Sequence, residues 1–216
     1  MNKNIVVAVD GPVAAGKGTL GRRLAAHFGF AYLDTGALYR ATALRLLRDG
    51  QALDDIPALL AQAQAVSLKD LDDPGLRAEA VGEAASVISP QPALRAALLD
   101  YQRNFATLPP DDAAGAVLDG RDIGTVVCPD ADVKIFVTAS VEARAKRRHA
   151  ELVGKGEEVS LAMVASDLAA RDARDSERAA SPLAAADDAH LLDTTKMDIE
   201  AAFQAVRSYV AACMED

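Results

Sequence analysis

The chain has 216 residues, of which 50% are hydrophobic and 25% charged, and its formal net charge is −9. No apolar run is long enough to cross a bilayer, and so acidic a surface is a poor partner for a phosphate backbone, so membrane and nucleic-acid roles are set aside. What remains is one α/β domain with room for inserted segments, in which an anionic small ligand would need a local basic pocket.

The N-terminus passes from Met-Asn-Lys-Asn directly into an apolar run, with no signal or transit pattern. Cys128 and Cys213 lack metal or redox spacing, so a reduced, cytoplasmic setting is expected. The first strand is Ile5–Asp10. Gly-x-x-x-x-Gly-Lys-x-Thr follows over residues 11–19 and opens a helix, Lys17–Phe28, that Gly29 closes. Strand, glycine-rich loop and helix in this order form a phosphate-binding loop. The loop residues Gly11, Pro12, Val13, Ala14, Ala15, Gly16, Lys17, Gly18 and Thr19 are the candidate donor-nucleotide site. Gly11 and Gly16 allow a tight turn and close approach to a polyphosphate. Lys17 supplies a point charge, and Thr19 offers a hydroxyl to Mg²⁺. Gly18 stands where Ser or Thr is usual, so either the helix starts one residue later or Thr19 serves from the next position.

Further strands are expected at Phe30–Asp34, Ala116–Asp119, Val133–Thr138 and His190–Asp193, mostly separated by helices, which implies a parallel sheet. A helix over Ala37–Arg48 ends at Asp49-Gly50. Between Gly50 and Asp112 no core strand is evident: Ala58–Ala65 reads as helix, Leu68–Gly75 as turn, and Pro92–Ala106 as a long helix. That stretch is too long for a simple crossover and is read as an inserted substrate-binding subdomain. Glu151–Glu158 reads as a mobile lid, and Ile199–Cys213 as a final helix. The expected division is core 1–36, insert 37–114, core 115–148, lid 149–162 and core 163–216.

Five more clusters carry charge where chemistry could use it. In Asp34-Thr-Gly-Ala-Leu-Tyr-Arg40, Thr35, Tyr39 and Arg40 could hold an acceptor phosphate; the plainer reading is a helix cap at Thr35 and a surface arginine. Asp119, Arg121 and Asp122 follow a strand, where ligands of open α/β sheets bind. There Asp119 could hold Mg²⁺ through water, unless Arg121 and Asp122 are simply an ion pair. The arginines within Arg144–Arg148 and within Arg171–Arg178 could be solvated helix faces. Phosphoryl transfer, however, needs several cations around the moving group, and Arg171, Arg174 and Arg178 are spaced to share one helical face. Ser86 and Arg95 are polar groups of the insert.

The motifs Asp-Gly-Pro-Val-Ala-Ala-Gly-Lys-Gly-Thr-Leu, Leu-Asp-Thr-Gly-Ala-Leu-Tyr-Arg, Leu-Asp-Gly-Arg-Asp-Ile-Gly-Thr-Val-Val and Arg-Asp-x-Arg-Asp-x-x-Arg together resemble bacterial cytidylate kinases, nearly end to end. The resemblance implies the P-loop nucleoside monophosphate kinase fold: a five-stranded parallel sheet in the order 2-3-1-4-5, flanked by helices, with an NMP-binding insert and a short lid. It implies ATP as donor, Mg²⁺ as cofactor and CMP or dCMP as acceptor; a monomer is expected, since nothing in the sequence suggests an oligomer. Lys17, Arg121, Arg174 and Arg178 would act on the transferring phosphoryl group, with Arg147 and Arg148 on the donor. Thr35, Tyr39, Arg40, Arg121 and Arg178 would surround the CMP phosphate, Ser86, Arg95 and Asp122 would read cytosine, and Arg171 and Asp175 would take the ribose hydroxyls. The segment Val66–Val81 is shorter than the β-rich hairpin common in such inserts. Rival readings are a kinase for UMP, AMP or shikimate, and a GTP-dependent switch, which would need an Asn-Lys-x-Asp segment that the sequence lacks.

Overall fold

A computed structural model describes residues 4–215. β1 (Ile5–Asp10) leads through the loop into α1 (Lys17–Phe28), followed by β2 (Ala31–Asp34) and α2 (Thr35–Arg48). Three more helices follow, α3 (Ile56–Gln64), α4 (Glu79–Ile88) and α5 (Pro92–Thr107). β3 (Gly115–Gly120), β4 (Val133–Thr138), α6 (Val141–Gly154), α7 (Leu161–Ser176), β5 (His190–Asp193) and α8 (Ile199–Glu215) complete the chain. The strands form one sheet in the expected order β2-β3-β1-β4-β5. β1 runs parallel to β3 and β4, and β4 to β5. Strands covered on both faces need near-continuous apolar runs, and all six residues of β3 are buried. No described helix is long and apolar enough to cross a membrane.

The chain divides into two compact units: the part up to Leu33 together with the part from Ala106 onward, and Asp34–Phe105. In the first, Val7, Val9, Val117, Ile135 and Val137 from the strands pack with Leu20 and Leu24 of α1 and with Phe203, Val206 and Val210 of α8. This apolar layer is the main source of its stability. α1 runs over the expected residues, and Gly29, at φ 68°, closes it by donating its N–H to the Ala25 carbonyl.

The second unit is helical, with no strand among its described residues beyond the Asp34 end of β2. The segment Val66–Val81 forms two short 3-10 turns, Leu68–Asp72 and Pro74–Arg77, before α4 begins. α2 starts two residues earlier than the sequence suggests, because Asp34, and not Thr35, is the cap: its carboxylate accepts the Ala37 N–H. α4 has no counterpart among the sequence expectations. Its Ala- and Gly-containing run buries only Val81, Ala84, Ala85 and Ile88, a thin apolar stripe.

Candidate active site

The loop after β1 takes its shape from three residues with positive φ: Gly11 at 144°, Ala14 at 59° and Gly16 at 97°. Gly11 is required for a reason other than ligand approach. A Cβ there would sit 1.9 Å from the Val137 carbonyl oxygen of β4, so the strand backbone itself excludes a side chain. At Gly16 nothing lies within 4 Å of a built Cβ, and its left-handed backbone alone favours glycine. Lys17 is the first residue of α1 and only 5% exposed, and its Nζ donates to the Pro12 carbonyl at 2.8 Å, which arches the loop over its ammonium. Since α1 starts at Lys17, the helix is not delayed by Gly18, and Thr19 is its third residue. Gly18 has a structural reason too. A Cβ there would lie 3.2 Å from Asp119 Oδ2 and 3.5 Å from the Tyr32 hydroxyl, so a larger residue would crowd the pair these two form.

Asp119, at the end of β3, is 7% exposed and accepts the Tyr32 hydroxyl at 3.0 Å. Its carboxylate therefore lies beside the start of α1, the turn that carries the exposed Thr19. A carboxylate and a hydroxyl are hard oxygen donors that suit Mg²⁺, which keeps several waters and leans on phosphate oxygens rather than on an all-protein cage. No cluster of three metal-ligating His, Cys, Asp or Glu side chains occurs among the described residues.

Two residues further on, Arg121 does not pair with Asp122. Its Nε reaches Asp175 Oδ2 of α7 at 2.9 Å, and its Nη1 donates to the Gly120 carbonyl. Burial pushes the Asp175 carboxyl up, but Arg121, Arg178 and Arg171 outweigh it and hold the group below the usual carboxylate range. Asp122 is buried beside this ion pair in sequence. Asp10, at the end of β1, accepts the Ile123 N–H on one oxygen and the Gly124 N–H on the other, both at 2.8 Å.

The expectation that Arg171, Arg174 and Arg178 share one helical face needs correction. α7 stops at Ser176, and the chain folds back so that the Leu183 N–H takes the Asp175 carbonyl. Arg178 lies past the helix end and donates its Nε to the same carbonyl at 3.2 Å. Arg171 is half-buried, and Arg174 is exposed. α6 and α7 form a helical hairpin joined by residues 155–160, so Glu151–Gly154, read from the sequence as loop, form the last turn of α6. Leu152, Val164 and Leu168 make its core, against which Val13 and Ala14 of the phosphate-binding loop pack. Arg144 ties the hairpin together, pairing bidentately with Asp172 and donating to the Ala139 and Val13 carbonyls.

Beside the loop lies a cavity of about 450 Å³, bordered by Ala14–Gly16 and Thr19, by Arg147 and Arg148 of α6, and by Thr194, Met197, Asp198 and Ile199. Its size and mixed lining suit a nucleoside. Arg147 donates to the Thr194 hydroxyl and carbonyl at 3.0 and 2.6 Å, and Arg148 pairs with Glu151 at 2.9 Å. The segment after β5 was not singled out from the sequence. The rule that ligands gather at the carboxyl ends of parallel strands points to it.

The remaining sequence-predicted residues belong to the second unit. Arg40 pairs with Asp34 at 2.5 Å, and Gly36 leaves room for both, since a Cβ there would lie 3.1 Å from Asp34 Oδ1. Thr35 is buried in the first turn of α2. The Arg95 guanidinium lies 5.6 Å from the centre of the Tyr39 ring, and its Nη1 donates to the Ser89 carbonyl. Ser86 is half-buried on α4.

A sequence model of the cytidylate kinase family matches residues 7–212. The chain belongs to the cytidylate kinase family. The cytidylate kinase of Methylocella silvestris is 60% identical over 93% of this chain and 91% of its own length. That of Rhizobium meliloti is 54% identical over 98% of both chains. Among solved structures, an uncharacterized protein from Eubacterium ventriosum shares the fold, with a TM-score of 0.56 at 13% identity over 97% of this chain and 99% of that one. The chain is thus a kinase with the P-loop nucleoside monophosphate kinase fold.

Proposed function

We propose that this cytidylate kinase family member transfers the γ-phosphoryl group of ATP to CMP, and also to dCMP, as a cytoplasmic monomer. The observation that carries the reading is the adjacency of two strand ends in register, Asp10 opposite Gly120. One leads into the loop with buried Lys17, the other into Arg121 and Asp122. The donor triphosphate would lie on residues 11–19, with its base and ribose in the cavity bordered by Arg147, Arg148 and Thr194. Bound Mg²⁺, held through Thr19 and Asp119, would neutralise phosphate charge. The acceptor oxygen of CMP is already anionic, so the protein needs no general base. Its part is to align the two phosphates and surround them with cations, Lys17, Arg121, Arg174 and Arg178.

Thr35, Tyr39 and Arg40 would hold the acceptor phosphate, and Arg171 and Asp175 the ribose. Ser86, Arg95 and Asp122 would read the base. Cytosine presents an amino donor at position 4 that a carboxylate accepts, whereas uracil presents a carbonyl that it repels. Asp122→Ala is therefore expected to lower the CMP-to-UMP ratio of kcat/KM about tenfold to a few hundredfold. Steady-state assays with CMP, dCMP, UMP and AMP check this, and an unchanged ratio refutes the base-reading role. A panel in which another acceptor outpaces CMP overturns the assignment as a whole.

A further inference from the structure

A buried carboxylate is costly unless its oxygens are satisfied, and Asp10 is 5% exposed at the end of the central strand. Both of its oxygens are committed to backbone amides of one short π-helical turn, Ile123–Val127. Three later amides bond within the segment. Val126 and Val127 donate to the Asp122 carbonyl, and Cys128 donates to that of Ile123. The amides of Ile123 and Gly124 are the ones Asp10 takes, and they directly follow Arg121 and Asp122. The surroundings are close on the other side as well. A Cβ on Gly124 would lie 3.2 Å from Lys134 Cδ and 3.4 Å from Asp10 Oδ2, so a side chain there would press on the Lys134 stem and come into contact with the carboxylate. Arg121 is fixed at its far end by Asp175. The segment is held by its backbone at one point and by its longest side chain at another.

We propose that Asp10 is a positioning residue for the acceptor nucleotide, setting through the amides of Ile123 and Gly124 where Arg121 and Asp122 stand. This role rests on the reading that Arg121 and Asp122 face CMP. Both Asp10 oxygens are taken by these amides, so it acts through them. Its charge state suits such a role. Burial pushes the carboxyl up to about 6, with Asp122 adding to the rise, while the two amides and Lys17 pull it back. At neutral pH it remains an acceptor on both oxygens.

Asp10→Asn keeps the shape but turns one acceptor into a donor aimed at an amide. The variant is expected to raise the KM for CMP about tenfold, the size of one charge-assisted hydrogen bond, with the KM for ATP changed less than about twofold. Gly124→Ala, which presses on Lys134 beside this contact and leaves Asp10 intact, is expected to raise the CMP KM about threefold with the same split. An unchanged KM for CMP in the folded variants, or parallel rises for CMP and ATP, overturns the proposal. Should Asp10→Asn fail to fold, Gly124→Ala decides it by the same criterion. Asp122→Ala, assayed alongside, separates the two readings. If it leaves the CMP-to-UMP ratio unchanged, base reading fails, while the CMP-against-ATP split of the Asp10 and Gly124 variants still decides positioning.

Discussion

Lys17→Ala is expected to abolish turnover, lowering kcat by about a thousandfold or more, while the protein still folds. The ammonium is nearly inaccessible to bulk water and is already aimed along the inner face of the loop by its bond to the Pro12 carbonyl. In so dry a setting one charge on the transferring phosphate acts at short range with little screening. No neighbouring lysine belongs to the loop, so no other cation substitutes from the same position. The truncation also removes a positive charge that restrains the Asp10 carboxyl, so that group should rise further. A coupled assay of ADP release measures the activity, and circular dichroism the fold. Activity within tenfold of the parent refutes the role.

The largest stability effect is expected from Arg144→Met. The Arg144 side chain is 4% exposed and that of Asp172 22%, and their forked contact spans the two helices of the hairpin. Removing the guanidinium strands a mostly buried carboxylate and frees the Ala139 and Val13 carbonyls. Breaking a buried pair from one side costs roughly 3–5 kcal/mol. For a chain of this size that is a fall in Tm of about 6–20 °C. Arg144→Met combined with Asp172→Leu removes both charges and should regain much of the loss, because most of the penalty is the orphaned carboxylate. Thermal unfolding of the single and double variants checks both statements. A single-variant loss below about 1 kcal/mol contradicts the first.

Local physics explains how much of this was legible in the residues alone. Strand positions could be read because buried parallel strands need near-continuous apolar runs, as in Ile5–Val9, whereas the sheet order is what the family resemblance implies. The phosphate-binding loop could be read because glycine and lysine at that spacing have few other uses. α4 is harder to read because two of the four residues in its stripe, Ala84 and Ala85, are small and mark the helical period weakly. The end of α7 is not legible in the sequence, because nothing between Ser176 and Arg178 breaks a helix. The stop comes from the returning Leu183 amide, a contact made from beyond both of the arginines it separates. The pairing of Arg121 with Asp175, rather than with its neighbour Asp122, is likewise set by tertiary approach across 54 positions. Adjacent charges in a sequence say little about which of them meet.

The Thr194 hydroxyl lies within reach of two carbonyls, Ala15 of the phosphate-binding loop at 3.2 Å and Thr138 of β4 at 3.1 Å, and it accepts from Arg147. A hydroxyl owns one proton, so it can serve only one of those carbonyls at a time. The loop backbone and the sheet thus take turns with a single hydrogen, and the two arrangements differ by a bond rotation of little cost. Anything that draws Arg147 away alters which oxygen keeps it, so the wall of the cavity and the floor of the loop share one proton between them.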